Sequence, residues 1–174
     1  MYAKCTPTSK EKLRNIAKKV RALYNVKDIY FPIYDILESN FDEGTLMYEV
    51  VEEDDSRLLK DELAKYLLEE QRILIKESVY LELINDIGRS RFTLTHEFAH
   101  YILLTVMGFE VEFQEEPLAA AYFNPEWQAN TLAAELLCPY EETKDFTLQQ
   151  LIDECHISEE CAIITLKMRG KLKK

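Results

Sequence analysis

The chain has 174 residues, 47% of them hydrophobic and few of them glycine or proline, so it can bury the core of one compact domain. It contains no uncharged apolar run of about 18 residues and no apolar signal core at its N-terminus, so we expect a cytoplasmic rather than a transmembrane or secreted protein. The net charge of −11 disfavours long-range attraction to nucleic acid and favours a basic partner, although a solvated acidic surface is the simpler interpretation.

The first half of the chain shows both helical and strand patterns. Apolar residues at helical spacing over Lys10–Tyr24, with Ser9 as N-cap, predict an amphipathic helix. Pro32 suits a first helical turn and predicts a second helix through Asn40. The remaining predictions for this half are a strand over Thr45–Val51, a turn at Glu52–Asp55, a helix over Leu58–Leu68 and a strand with one buried face over Arg72–Lys76.

The second half is predicted to be mainly helical. The predicted elements are a helix over Val79–Ile87, a break at Gly88, a helix that Ser90 caps and Gly108 ends, a strand over Phe109–Phe113, a helix over Asn124–Pro139, and two short helices within Thr147–Leu172 joined by a turn at His156–Ser158. The helix over Asn124–Pro139 has the clearest limits, because Asn124 is a good N-cap, Pro125 suits the first helical position and Pro139 ends the element.

Two of the three histidines lie in the sequence HEFAH, which follows the pattern HExxH. On a helix, His96 and His100 lie one turn apart on one face, so both imidazoles can reach a single ion. The neighbouring residues are apolar on nearly every side, and two histidines with a carboxylate are costly to bury without a partner such as a divalent metal. In such sites neutral imidazoles bind zinc and the intervening glutamate, here Glu97, is the general base. A chance HExxH without metal is the alternative.

A catalytic zinc site usually has three protein ligands, so a third ligand is needed. The later helix offers Glu126 and Glu135, which lie nine positions apart and therefore on opposite faces. Glu126 shares its face with small residues that permit close approach to the metal helix, whereas Glu135 lies on a more polar side, so we select Glu126. The alternative for Glu126 is an acid favoured by the helix dipole. Asn130, one turn further on, could orient Glu126 or a histidine.

The segments RFTLTHEFAHYILL and EWQANTLAAELLCP together resemble the ImmA/IrrE family of zinc metallopeptidases, and the resemblance extends over most of the chain. It implies an α+β fold of gluzincin type, in which a small mixed sheet packs on two metal-bearing helices and a helical tail follows. It implies one Zn²⁺ ion held by His96, His100 and Glu126, with Glu97 as general base. Two positions depart from the family pattern: Leu132 replaces an aromatic residue, and Cys138, expected near the site, replaces a methionine and could confer redox sensitivity.

The resemblance also implies an activity, which is cleavage of a helix-turn-helix repressor of a prophage, a mobile element or a stress response. Zinc peptidases hold an extended substrate on an edge strand beside the metal helix, and Arg72–Lys76 is the candidate strand. The rival function is a regulatory protein that binds a repressor through the same fold without cutting it.

We expect a single domain over residues 1–174, with an N-terminal helical region (1–44), a catalytic core (45–140) and a helix-turn-helix-like tail (141–174). The tail ends in basic residues, namely Lys167, Arg169, Lys171, Lys173 and Lys174. Direct DNA binding is disfavoured, because a DNA reader would show a stronger basic face and the apolar residues of the tail are better explained by docking onto the core.

Overall fold

The computed structural model describes residues 1–172 and has the α+β architecture that the sequence predicted. The strands are β1 (Tyr2–Cys5), β2 (Met47–Val51), β3 (Ala64–Leu67), β4 (Arg72–Lys76) and β5 (Val111–Gln114). The helices are α1 (Lys10–Leu23), α2 (Ile33–Glu43), α3 (Glu77–Ile84), α4 (Gly88–Tyr101), α5 (Pro125–Leu137), α6 (Tyr140–Thr143), α7 (Leu148–Cys155) and α8 (Glu159–Met168). None of the helices within residues 1–172 combines the length and the apolar character that a membrane crossing requires.

Three strands form a mixed sheet in the order β2-β4-β3, in which β2 is parallel and β3 antiparallel to β4. Both faces of the central strand β4 are covered, because Ile73 and Ile75 lie in the main core and Leu74 packs with Val51 and Leu58 in a second cluster; all three residues of β4 are fully buried. The prediction of a strand over Arg72–Lys76 is confirmed. The prediction that it is an edge strand with one buried face was wrong, since three consecutive buried apolar residues are typical of a central strand.

The edge strand beside α4 is β3, which lies inside the segment Leu58–Leu68 that we predicted to be a helix. Leu58 lies before the strand and packs on Val51 and Leu74. Pairing of β3 with β4 outweighs the local helical pattern. The turn between the two strands ends at Gln71, with φ of 46°, so no glycine marks it in the sequence.

Helix α4 lies at the centre of the fold, where it contacts α3, α5 and β3. Leu94, Phe98 and Ala99 of α4 are fully buried, as the apolar sequence of this segment predicted. Facing them, α5 contributes Ala129 and Ala133, also fully buried. Small side chains at this interface allow the two helices to lie close together, which is the condition for a site shared between them.

The limits of the two central helices are partly as predicted. Asn124 caps α5 through its side chain, which accepts hydrogen bonds from two main-chain N–H groups of the first turn. The cap predicted for α4 was wrong, because Ile87 occupies the N-cap position and the Ser90 hydroxyl instead donates to the Ile87 carbonyl at 2.8 Å. Beyond Tyr101 the helix continues as a π-helix over Ile102–Val106, which the sequence did not indicate.

The two ends of the chain pack on this centre. Strand β1, which the sequence analysis did not predict, pairs antiparallel with β5 in a separate two-stranded sheet. In the tail, α7 and α8 form as predicted and are joined at His156 in a left-handed conformation. Leu151 and Ala162 are fully buried against the core, which confirms that the apolar residues of the tail dock. Lys173 and Lys174 lie outside the described residues.

Candidate metal centre

The three side chains selected from the sequence converge. His96 and His100 project from the same face of α4, and Glu126 reaches them from the first turn of α5. The distance from His96 Nε2 to Glu126 Oε2 is 3.2 Å, and that from His100 Nε2 to Glu126 Oε1 is 3.3 Å. The two Nε2 atoms lie 3.1 Å apart. Among residues 1–172, this is the group of potential ligands whose atoms all lie within 4.8 Å of one another.

The spacing of these atoms fits a metal ion. Two ligands bound to zinc at 2.0–2.1 Å with tetrahedral angles are separated by about 3.3 Å, close to the separations of 3.1, 3.2 and 3.3 Å in this group. Two imidazoles and one carboxylate form a donor set that leaves the fourth position of a tetrahedron open, as catalytic zinc sites do. The histidine side chains are 14% and 13% exposed and that of Glu126 is 64% exposed, so the group opens to solvent on the Glu126 side.

A hydrogen bond orients the first histidine. His96 Nδ1 lies 3.0 Å from Asn130 Oδ1, and Asn130 stands one helical turn after Glu126. With the proton on Nδ1, His96 donates to Asn130 and the lone pair of its Nε2 points to the metal position. The contact supports the orienting role that the sequence suggested for Asn130.

Replacing Asn130 by alanine is expected to weaken zinc binding by roughly 10–100-fold, because His96 then loses the acceptor that fixes its tautomer and ring orientation. Titration against a chromophoric chelator measures this change. Asn130→Asp keeps an oxygen acceptor in place and is expected to bind zinc more tightly than Asn130→Ala. Wild-type affinity in the alanine variant would contradict the role of this contact.

The charged groups of the site perturb one another. Burial raises the pKa of Glu97, and its hydrogen bond from Tyr66 N–H opposes this only in part. Hydrogen bonds to His100 and His96 hold the pKa of Glu126 well below its usual range. Burial lowers the pKa of His96, but the hydrogen bond to Glu126 and the nearby carboxylates outweigh burial and raise it overall. Glu126 therefore carries a full charge near neutral pH, as a metal ligand requires.

Glu97 and the triad line the same cleft, which has a volume of about 400 Å³. Strand β3 and the preceding Glu62 form one wall, and the other walls come from α4 with its π-helical continuation, from α5 and from Val111 of β5. Glu97 as a whole residue is 9% exposed, and its carboxylate accepts a hydrogen bond from Tyr66 N–H at 2.7 Å. Sequence reasoning missed Tyr66 because it placed this segment in a helix. Buried and partly buried residues alternate along AKYL in the structure, but the residue types themselves do not alternate between apolar and polar, so the sequence carried no clear signal for this strand.

Two other residues singled out from the sequence lie away from the cleft. Glu135 is on the opposite face of α5, as predicted, and forms a partly buried ion pair with Arg14 of α1 at 3.0 Å. Cys138 follows the last residue of α5, and 12 residues at 1.5 Å per residue place it about 18 Å along the helix axis from Glu126. The expectation that Cys138 lies near the site was therefore wrong. Its side chain instead contacts Cys155 of α7.

Comparison with known proteins identifies the family. The family model described as the IrrE N-terminal-like domain, Peptidase_M78, matches residues 53–164, a range that includes both helices of the triad. A comparison with curated proteins gave no match. Since the family match covers more than half of the chain and agrees with the two motifs, this chain belongs to the Peptidase_M78 family of IrrE N-terminal-like domains.

Proposed function

We propose that this protein is a zinc-dependent endopeptidase that hydrolyses a peptide bond in a protein substrate. The observation that carries the proposal is the convergence of His96, His100 and Glu126 at separations suited to zinc, with the Glu97 carboxylate in the same cleft. Membership of a peptidase family supports the same conclusion. The ligands and the base are those that the sequence analysis selected.

Glu97 has two tasks in the proposed reaction. It accepts a proton from the attacking water and then returns that proton to the leaving nitrogen of the cleaved bond. Zinc, when held by the triad, would lower the pKa of water and polarise the peptide carbonyl. Burial raises the pKa of Glu97, which makes its carboxylate a stronger base toward the attacking water. His96 and His100 would hold the ion together with Glu126.

We propose that the substrate backbone pairs with the free edge of β3, in place of the strand β4 that the sequence analysis had selected. Lys76 N–H donates to Leu63 C=O. In the antiparallel register, the main-chain N–H and C=O groups of Leu63 and Lys65 therefore point toward β4. The main-chain groups of the intervening residues, Ala64 and Tyr66, then point away from β4. Ala64 and Tyr66 line the cleft, so an extended peptide could add a strand there beside the triad.

The partner we propose is a helix-turn-helix repressor, on the grounds of the family resemblance. The net charge of −11 supports this choice, because a DNA-binding protein presents a basic surface that an acidic protein attracts at long range. A protein that grips a repressor without cutting it would use the same surface, and the experiment must separate the two.

We expect the zinc-loaded protein to cut a proteome-derived peptide library at a defined subset of sequences, as detected by mass spectrometry of new peptide ends. A chelator should abolish the new ends, and added zinc should restore them. A purified helix-turn-helix repressor encoded next to this protein should yield two fragments under the same conditions. If the repressor is bound and stays intact with zinc present, the non-cleaving alternative is correct.

A further inference from the structure

The carboxylate of Glu97 is fixed to the strand that forms the cleft wall. Glu97 Oε2 accepts a hydrogen bond from Tyr66 N–H at 2.7 Å, across 31 residues of sequence, and the contact is buried. Tyr66 N–H belongs to the free edge of β3, because the register places Tyr66 between residues that bond to β4. The group that holds the base therefore lies on the same edge on which we place the substrate.

The side chain of Tyr66 attaches the strand to the same helix at a second point. Its hydroxyl lies 2.5 Å from Thr105 Oγ1, in the π-helix that continues α4. With α-helical spacing, Thr105 would lie about 80° around the axis from Glu97. The wider π turn reduces that angle and brings Thr105 toward the face that carries Glu97. Tyr66 thus contacts the metal helix through its main chain at Glu97 and through its side chain at Thr105.

The hydrogen bond between Tyr66 N–H and Glu97 is not explained only by the need of an unpaired strand N–H for an acceptor. An N–H on an open cleft wall can bond to water, whereas a buried carboxylate without a donor is costly, so the contact benefits Glu97 more than Tyr66. The Tyr66 ring is also packed edge-on against Tyr101, with ring centroids 6.0 Å apart, which restricts the residue further. A carboxylate held by a restricted donor keeps one orientation, as a base must.

We propose that Tyr66 is a positioning residue for Glu97, and that it fixes the base and the substrate backbone to a single strand. Its main-chain N–H orients the carboxylate, and its hydroxyl contact with Thr105 keeps β3 at a set distance from α4. Since Tyr66 N–H already donates to Glu97, a substrate peptide paired with β3 forms its hydrogen bonds with Ala64 N–H, Ala64 C=O and Tyr66 C=O. The peptide bond to be cut lies opposite Tyr66, where Glu97 stands. This inference rests on the proposed peptidase function.

Amide hydrogen exchange in the metal-free protein tests the contact without any activity measurement. Glu97→Ala removes the acceptor and is expected to lower the protection of the Tyr66 amide by roughly tenfold, because the net free energy of one ordinary hydrogen bond corresponds to about that factor in the opening equilibrium. The Lys65 amide, which faces β4, should keep its protection and serves as the internal control. Unchanged protection at Tyr66, or an equal loss at Lys65, would overturn the proposal.

The side-chain contact is tested with Tyr66→Phe, Thr105→Val and the double variant. Each single change is expected to lower the protection of the Tyr66 amide by a few-fold, and the double variant should lose no more than one single variant, since both remove the same contact. Tyr48→Phe is the matched control, because it removes another partly buried tyrosine hydroxyl, bonded to Glu38, from a ring that packs on Phe41 and Tyr80. Additive losses, or an equal loss of Tyr66 protection in the control, would overturn the proposal.

With a peptide cut by the wild type, Tyr66→Phe and Thr105→Val are expected to lower kcat several-fold with KM and zinc content unchanged, because only alignment of the base is lost. A rise in KM with kcat unchanged would overturn the positioning role. If the wild type cuts no peptide, the proposed function fails, and the exchange experiments still decide whether Tyr66 holds Glu97.

Discussion

Glu97→Gln is expected to lower the rate of peptide cleavage by roughly a thousandfold, within the range that general acid–base catalysis contributes, while zinc binding stays at the wild-type level. The amide has the shape of the carboxylate, and its oxygen can still accept the hydrogen bond from Tyr66 N–H. It cannot take a proton from water. Because Glu97 is not a member of the triad, the donor set for the ion is unchanged.

The same substitution should not destabilise the fold. Burial raises the pKa of Glu97, which means that the site disfavours the charged form, and a neutral amide removes that cost. The melting temperature of the metal-free Gln variant is therefore expected to equal or exceed that of the wild type. Rate measurements with parallel metal analysis and thermal unfolding distinguish the cases. If the variant cuts peptides at a rate close to that of the wild type, the base lies elsewhere.

The roles of residues that interact with others close by in the sequence could be predicted from the sequence. His96 and His100 are brought together by helix geometry alone, so HEFAH predicted their alignment before any fold was known. The choice of Glu126 over Glu135 also needed only one helix, because it rested on the angle between the two positions and on the small residues that share the face of Glu126. The caps of α1 and α5 were predicted for the same reason, since Ser9 and Asn124 bond to main-chain groups two or three residues away, whereas the predicted cap of α4 was wrong.

Features that depend on strand pairing or on contacts between separate segments of the chain could not be predicted from the sequence. The segment AKYL becomes a strand because RILIK follows it and pairs with it, and the turn between them carries none of the usual glycine or asparagine signals. The place of β4 in the centre of the sheet depends on β2, which lies in a separate part of the chain. The bond from Tyr66 to Glu97 uses a main-chain donor that every residue except proline carries, so the type of residue gives no indication of it.

Metal content is expected to depend on Glu126 and not on Glu135, although both glutamates lie on α5. Glu126→Ala removes one of three donors, and zinc affinity should fall by more than the roughly 10–100-fold change expected for an outer partner such as Asn130. The unfolding free energy of the metal-free protein should fall by no more than about 1 kcal/mol, since Glu126 is largely exposed and its main contribution is that of an acid at a helix N-terminus.

Glu135→Ala should give the reverse result, with zinc affinity unchanged and stability lowered. The Glu135 side chain is 5% exposed and accepts three hydrogen bonds from Arg14, so its removal leaves a largely buried guanidinium without its partner. The expected loss is roughly 1–3 kcal/mol in the free energy of unfolding. Chelator competition and urea unfolding on both variants measure the two quantities. Loss of zinc binding in Glu135→Ala, with full binding kept in Glu126→Ala, would contradict the ligand set on which the peptidase proposal depends.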